Sequence, residues 1–197
     1  MARLGREQWV NAAYDVFQDE GLAAVRIEAL ARTLGSTKGS FYWHFTDRRD
    51  LLLAVLDRWR ELETEGVIAE VDDDLPPAQR LAMLMRVIAH HSTLRTGERT
   101  LYVDAEAHGV ADVVRRVTER RLEIIESLLH DVGVSDEEAH RRAVVIVSTV
   151  LGYQQMTVSW DGRTSYDALV ETLFHLAVDR APSESEALAA WQRAPQV

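Results

Sequence analysis

The chain has 197 residues, 47% of them apolar, and no cysteine. It can therefore bury a core in one large domain or two small ones, while disulfides, thiolate zinc sites and cysteine nucleophiles are excluded and a reducing cytoplasm is the expected location. The net charge of −10 is uneven: residues 1–60 hold nine Lys/Arg against eight Asp/Glu and residues 61–197 thirteen against twenty-four, which leaves the N-terminal third free to face a polyanion.

Apolar residues recur at helical spacing almost throughout, and no strand-like alternation runs for more than a few residues, so the chain reads as all-α. Val10, Ala13, Tyr14 and Phe17 share one face of a first helix from about Arg6 to Glu20, stopped by Gly21. Ile27, Leu30, Ala31 and Leu34 do the same on a second, short helix from about Arg26, closed by Gly35. Ser36 or Thr37 suits the cap of a third short helix that carries Phe41 inward, and Thr46 or Asp47 the cap of a fourth. The fourth helix is long, with Leu52, Val55, Leu56, Trp59 and Leu62 along its stripe, and breaks near Gly66 or in the acidic run 72–74.

Pro76 and Pro77 open a fifth helix that is apolar on more than one face. A short sixth around "TLYVDAEA" ends at Gly109, and a seventh runs from about Ala111 to His130. Ser135 and Glu138 have capping-box spacing at the start of an eighth helix, and a ninth spans "RTSYDALVETLFHLAVDRA". The tail from Pro182 frays or adds one short helix, for nine or ten in all. The longest apolar stretch, "AVVIVSTVLG" in the eighth helix, falls well short of the roughly 18 residues a membrane span needs, and the N-terminus has no apolar run behind its basic residues. Neither a span nor secretion is expected.

The stretch "GSTKGSFYWHF", residues 35–45, carries the chemistry. Two short helices joined at Gly35 and Ser36 match a helix-turn-helix, whose second helix enters the DNA major groove. Phe41 and Phe45 are four apart and point to the core, which leaves Lys38, Gly39, Tyr42, Trp43 and His44 on or near the exposed side. Lys38, the only lysine of the chain, can reach a phosphate or a guanine edge. Gly39 lets the backbone come close to the duplex, Tyr42 and His44 can donate to phosphates, and Trp43 can touch a thymine methyl or sugars. Arg48 is placed to clamp the DNA backbone alongside. The opposing reading is a core patch of an ordinary helical domain.

The segment 21–56, with Gly21, Leu30-Ala31, Gly35, the Lys38-Gly39 pair, Tyr42-x-His44-Phe45 and a basic residue three positions on, resembles the DNA-binding region of the TetR family of bacterial transcriptional regulators. The resemblance is specific over about residues 6–56; beyond it only length and helix count agree. It implies a helix-turn-helix domain over residues 1–48 and an effector-binding and dimerisation domain over 49–197. The DNA contacts expected are Arg26, Thr37, Lys38, Gly39, Ser40, Tyr42, Trp43, His44 and Arg48. Two residues depart from the family pattern: Arg26 replaces a threonine that would cap helix two, and Ser36 replaces an aliphatic residue of the turn.

The all-round apolar eighth helix, with Gly152 permitting close approach, and the amphipathic ninth suggest an isologous four-helix dimer interface. A dimer would set two reading helices about 34–36 Å apart on a palindromic operator in double-stranded DNA. Polar and aromatic residues within apolar faces, Trp59, Met85, His91, Tyr102, Glu106, Tyr153, Gln154 and Trp160, are the candidates for contacting a small-molecule effector. A buried, ionised Glu106 would favour a cationic or donating effector.

No metal or other cofactor is expected: His90 and His91 are adjacent and so lie on different faces, and no i, i+4 histidine pair exists. Nor is an enzyme expected, for want of a glycine-rich phosphate loop or a GxSxG nucleophile elbow. The chain reads as a repressor-type homodimer in which an effector resets the spacing of its DNA-reading heads. Two alternatives are an effector-independent DNA-binding dimer and a helical small-molecule-binding protein that has lost DNA binding.

Overall fold

The structure is a computed structural model that describes residues 4–91, 96–156, 165–179, 189, 192 and 193. Its helices are α1 (Arg6–Glu20), α2 (Ile27–Thr33), α3 (Lys38–Phe41), α4 (Arg48–Arg60), α5 (Gly66–Ala69), α6 (Pro77–His91), α7 (Thr96–Asp104), α8 (Ala111–Asp131), α9 (Asp136–Met156) and α10 (Tyr166–Val178). The described residues contain no strand, as the helical periodicity requires. The expected fifth to ninth helices are α6 to α10. The helix begun as α4 does not break at Gly66: it runs through a π turn, Glu61–Glu65, into α5 and stops short of the acidic run, where the Asp72 carboxylate accepts from Asp74 N–H at 3.0 Å.

Packing divides the chain into two compact units, Met1–Leu62 with Leu94–Val117, and Glu63–Thr93 with Thr118–Val197. The expected division after residue 48 follows the motif; packing groups α4, α7 and the start of α8 with the motif's helices.

The first unit is built around aromatic residues. Trp9, Phe17, Phe41 and Trp59 are almost fully buried together with Leu22, Leu51, Leu52, Leu56 and Leu101. Trp9 meets the Phe41 ring edge-on at 5.4 Å between centroids, and Phe45 stacks on Phe41 at 5.1 Å. Since burying each large side chain contributes on the order of 2 kcal/mol, this cluster is what fixes α3 in place. Helix α1 ends at Gly21, whose φ of +85° only glycine adopts without strain, and the Gly21 N–H bonds Phe17 O at 2.9 Å. Helix α7 packs on α1 through Gly97, where a Cβ would lie 1.9 Å from the Phe17 carbonyl oxygen.

The second unit has a separate aliphatic core, with Leu81, Met85, Leu129, Ala143, Ile146, Val170 and Phe174 buried. Here Arg121 of α8 secures the π turn, donating to the buried Thr64 hydroxyl at 2.9 Å and to the Glu63 carbonyl at 3.1 Å. Arg142 of α9 donates to the carbonyls of Ala177 and Asp179 at the end of α10, at 2.7 and 2.9 Å. A cation at a helix C-terminus meets the negative end of the helix dipole.

Candidate nucleic-acid interface

The turn between α2 and α3 is determined by backbone chemistry. Gly35 takes φ +61°, its N–H bonds Arg32 O at 3.1 Å, and Ser36 N–H reaches back to Ala31 O at 2.8 Å. Those two bonds make a Schellman motif, which caps the last carbonyls of α2. Ser36 supplies only its backbone to that motif, so the polar residue at this position leaves the turn closed. Thr37, not Ser36, caps α3: its hydroxyl accepts from Ser40 N–H at 3.2 Å. Asp47, not Thr46, caps α4, its carboxylate accepting from Asp50 N–H at 2.9 Å. Arg26 stands at the N-cap of α2 with no side-chain cap bond, as its replacement of a hydroxyl residue implies, and it is exposed.

Helix α3 proper is one turn, but its helical bonding continues through His44 N–H and Phe45 N–H, both onto Phe41 O. Phe41 and Phe45 point inward as expected. Tyr42 is 52% exposed and Trp43 78%, a large apolar area to leave in water. Gly39 is exposed, and a Cβ there would meet only the Thr37 hydroxyl, at an ordinary 3.7 Å. The fold itself therefore does not demand glycine at this point. Ser40 is half-buried beside it.

Lys38 holds a partner that the sequence reading missed. Its ammonium sits 2.6 Å from the Glu28 carboxylate on α2, and both groups are exposed. Each stabilises the other's charge, so Glu28 titrates below the usual carboxylate range and Lys38 above the usual amine range, the shared hydrogen bond being the main cause. Ten residues and a turn separate the two, and no local spacing rule connects them.

Two expected phosphate donors are otherwise engaged. His44 Nε2 donates to the Leu4 carbonyl at 2.9 Å and so ties the chain entering α1 to the end of the motif. Arg48 points inward: it donates to Val25 O at 2.7 Å, to Leu22 O, and to His108 Nδ1 at 3.3 Å. Its role in the fold is to hold the short 3₁₀ turn Leu22–Ala24 ahead of α2, in place of the DNA clamp anticipated from its position. His108 must keep a lone pair on Nδ1 to accept this bond, and burial together with the Arg48 charge holds its pKa below the ordinary value. Arg49 is likewise spent on the Gly109 carbonyl, at 2.8 Å.

Residues 10–55, which span the capped turn and the Phe41–Phe45 anchor, match the family described as bacterial regulatory proteins, tetR family. This N-terminal segment is thus similar to the regulatory proteins of the TetR family. The chain is 28% identical over 97 residues to the HTH-type transcriptional regulator TtgR of Pseudomonas putida, covering 49% of this chain and 46% of that protein. The chain thus matches about half the length of such relatives. Over nearly the whole fold it resembles a transcriptional regulator from Rhodococcus sp. Rha1, with a TM-score of 0.71, 19% identity and coverage of 98% and 99% of the two chains. It also resembles BioQ crystallised with its double-stranded DNA operator, with a TM-score of 0.53, 26% identity and coverage of 86% and 98%.

The eight effector-contact candidates are divided between the two units. Trp59, Tyr102 and Glu106 belong to the first unit, whereas Met85, His91, Tyr153 and Gln154 belong to the second; Trp160 lies outside the described residues. Trp59 and Met85 are buried in the two cores and serve packing. Glu106 is exposed in the turn after α7, so the buried carboxylate that would favour a cationic effector is not there. His91 Nε2 lies 2.6 Å from the Glu70 carboxylate, Tyr153 packs on Tyr166 at 5.2 Å, and Gln154 is a buried polar residue of α9. Among the described residues no three His, Asp or Glu side chains gather as a metal ion would need, and no helix is long and apolar enough to cross a membrane.

Proposed function

We propose that the protein is a sequence-specific DNA-binding repressor of transcription that acts in the cytoplasm as a homodimer on a palindromic operator and is released by a small-molecule effector. The observation that carries the DNA reading is the outward surface of α3, where Lys38, Tyr42 and the 78%-exposed Trp43 surround a glycine that internal packing does not require. An aromatic surface with polar tips beside a flat backbone suits the edge of a duplex, with Thr37, Ser40 and Arg26 bordering it. The operator complex of BioQ supports double-stranded DNA as the partner.

Dimerisation is assigned to α9 and α10. Val144, Val145 and Met156 on α9 and Leu176 on α10 are exposed apolar residues, and a Cβ on Gly152 would meet nothing within 4 Å. Such a face gains by pairing with its own copy. Residues 1–48 read DNA, and residues 49–197 sense and pair, with the effector bound among second-unit side chains such as His91, Tyr153 and Gln154. The effector must bind one arrangement of the dimer more tightly than the other, or no release follows.

The test is fluorescence anisotropy on DNA from upstream of the protein's own gene, run as a salt series with wild type, Lys38→Ala and Tyr42→Ala. Salt-dependent binding that both variants lose, with circular dichroism unchanged, supports the reading; equal binding by all three proteins refutes it. A compound library scored for release of that DNA then tests the effector.

A further inference from the structure

We infer that Glu28 and Lys38 act as one base-reading unit that selects a G·C pair in the major groove, with Lys38 donating to guanine and Glu28 accepting from the cytosine amine. The inference rests on the DNA-binding function proposed above, and it begins from geometry. With its carboxylate 2.6 Å from the Lys38 ammonium, Glu28 accompanies Lys38 wherever the first turn of α3 meets DNA. An acid at that point is costly against a polyanion unless something there donates to it. Fold stability does not explain the pair either, because an ion pair this exposed contributes little.

The major groove offers two kinds of donor, the exocyclic amines of cytosine and adenine. A G·C pair presents the cytosine amine beside the O6 acceptor of guanine, the two joined by a hydrogen bond that spans about 2.9 Å. The protein presents the complementary arrangement, an ammonium beside a carboxylate at 2.6 Å. One ammonium N–H can stay on Glu28 while the others reach guanine O6 and N7, and the carboxylate, which also accepts from its own backbone N–H, keeps lone pairs for the cytosine amine. An A·T pair also sets a donor beside an acceptor, but it lacks the two adjacent guanine acceptors that suit lysine. The neighbouring Gly39 adds no side chain to keep bases away, and Arg32 on α2 further favours the ionised form of Glu28.

The experiment is selection of bound sequences from a randomised duplex library by the full-length wild type, Glu28→Gln, Glu28→Ala and Lys38→Ala. Wild type should enrich G·C at one position of each half-site on the order of ten-fold or more. Both Glu28 variants should lose that enrichment, to below about three-fold, and keep their preference elsewhere while binding random DNA at least as well as wild type. Unchanged preference in both Glu28 variants, or loss at an A·T position instead, overturns the inference and leaves Glu28 as a brake or a tether for Lys38. If wild type selects sequences and Lys38→Ala alone alters the preference, the paired unit is overturned while the DNA-reading function stands. If wild type selects nothing, the DNA-reading function falls with it.

Discussion

Replacing Gly97 with alanine should unfasten α7 from α1. The added methyl would lie 1.9 Å from Phe17 O, 2.7 Å from Phe17 C and 3.1 Å from Gln18 Cα, all of them backbone atoms that no rotamer change can move. Ordinary carbon contacts are about 3.5–4.0 Å, so α7 must retreat by roughly 1.5–2 Å. That shift would disturb Leu101 and Ala105, which are buried in the same core. Overpacking of this kind costs about 3 kcal/mol or more, against which alanine returns about 1 kcal/mol of helix propensity. A net loss near 2 kcal/mol lowers Tm by roughly 4–8 °C in a chain of this size, measurable by circular dichroism at 222 nm. Gly39→Ala is the matched control, since its methyl meets only the Thr37 hydroxyl at 3.7 Å. It should leave Tm within about 1–2 °C of wild type and weaken DNA binding, because propensity favours alanine and only an approaching duplex opposes it. A Gly97→Ala protein as stable as wild type would refute the close α1–α7 packing.

Arg48→Lys should lower Tm by roughly 5–10 °C, because a single ammonium cannot serve Val25, Leu22 and His108 together and charge-assisted bonds contribute about 1.5–3 kcal/mol; equal melting would show that the 3₁₀ turn holds without the fork. Stability should also depend on pH through His108. Its folded pKa lies below its unfolded value, so its contribution is complete above about pH 6.5 and is lost as pH falls from there toward the folded pKa. Melting curves from pH 7.5 down to 5.5 should therefore fall less steeply for His108→Gln than for wild type, and parallel curves would contradict the assignment. Val145→Arg, at a 55%-exposed position on α9, should halve the mass seen by sedimentation while leaving the monomer folded; an unchanged mass would move the dimer face elsewhere.

Much of this molecule follows from local rules acting on neighbouring residues. Four-residue spacing placed Phe41 and Phe45 inside, and Gly21 and Gly35 end their helices at positive φ, where a side chain is strained. The capped turn, the helical class and the exposed Tyr42 and Trp43 needed nothing beyond residues within five or six positions of one another. Such features form from hydrogen bonds and contacts that the chain makes with itself over a single turn, and so the amino-acid order alone determines them.

The tertiary structure decided the rest, because charged side chains choose partners across the fold. Arg48 follows α4's cap closely enough to suggest a surface clamp, yet its guanidinium is claimed by carbonyls 23 and 26 residues earlier and by a histidine 60 residues later. His44 found Leu4, 40 residues away, and Lys38 found Glu28 across the turn. Gly97 carries no signal in its own helix; only the Phe17 backbone lying against it requires a missing side chain. Periodicity reports which face of a helix is buried, but not which distant carbonyl or carboxylate waits there.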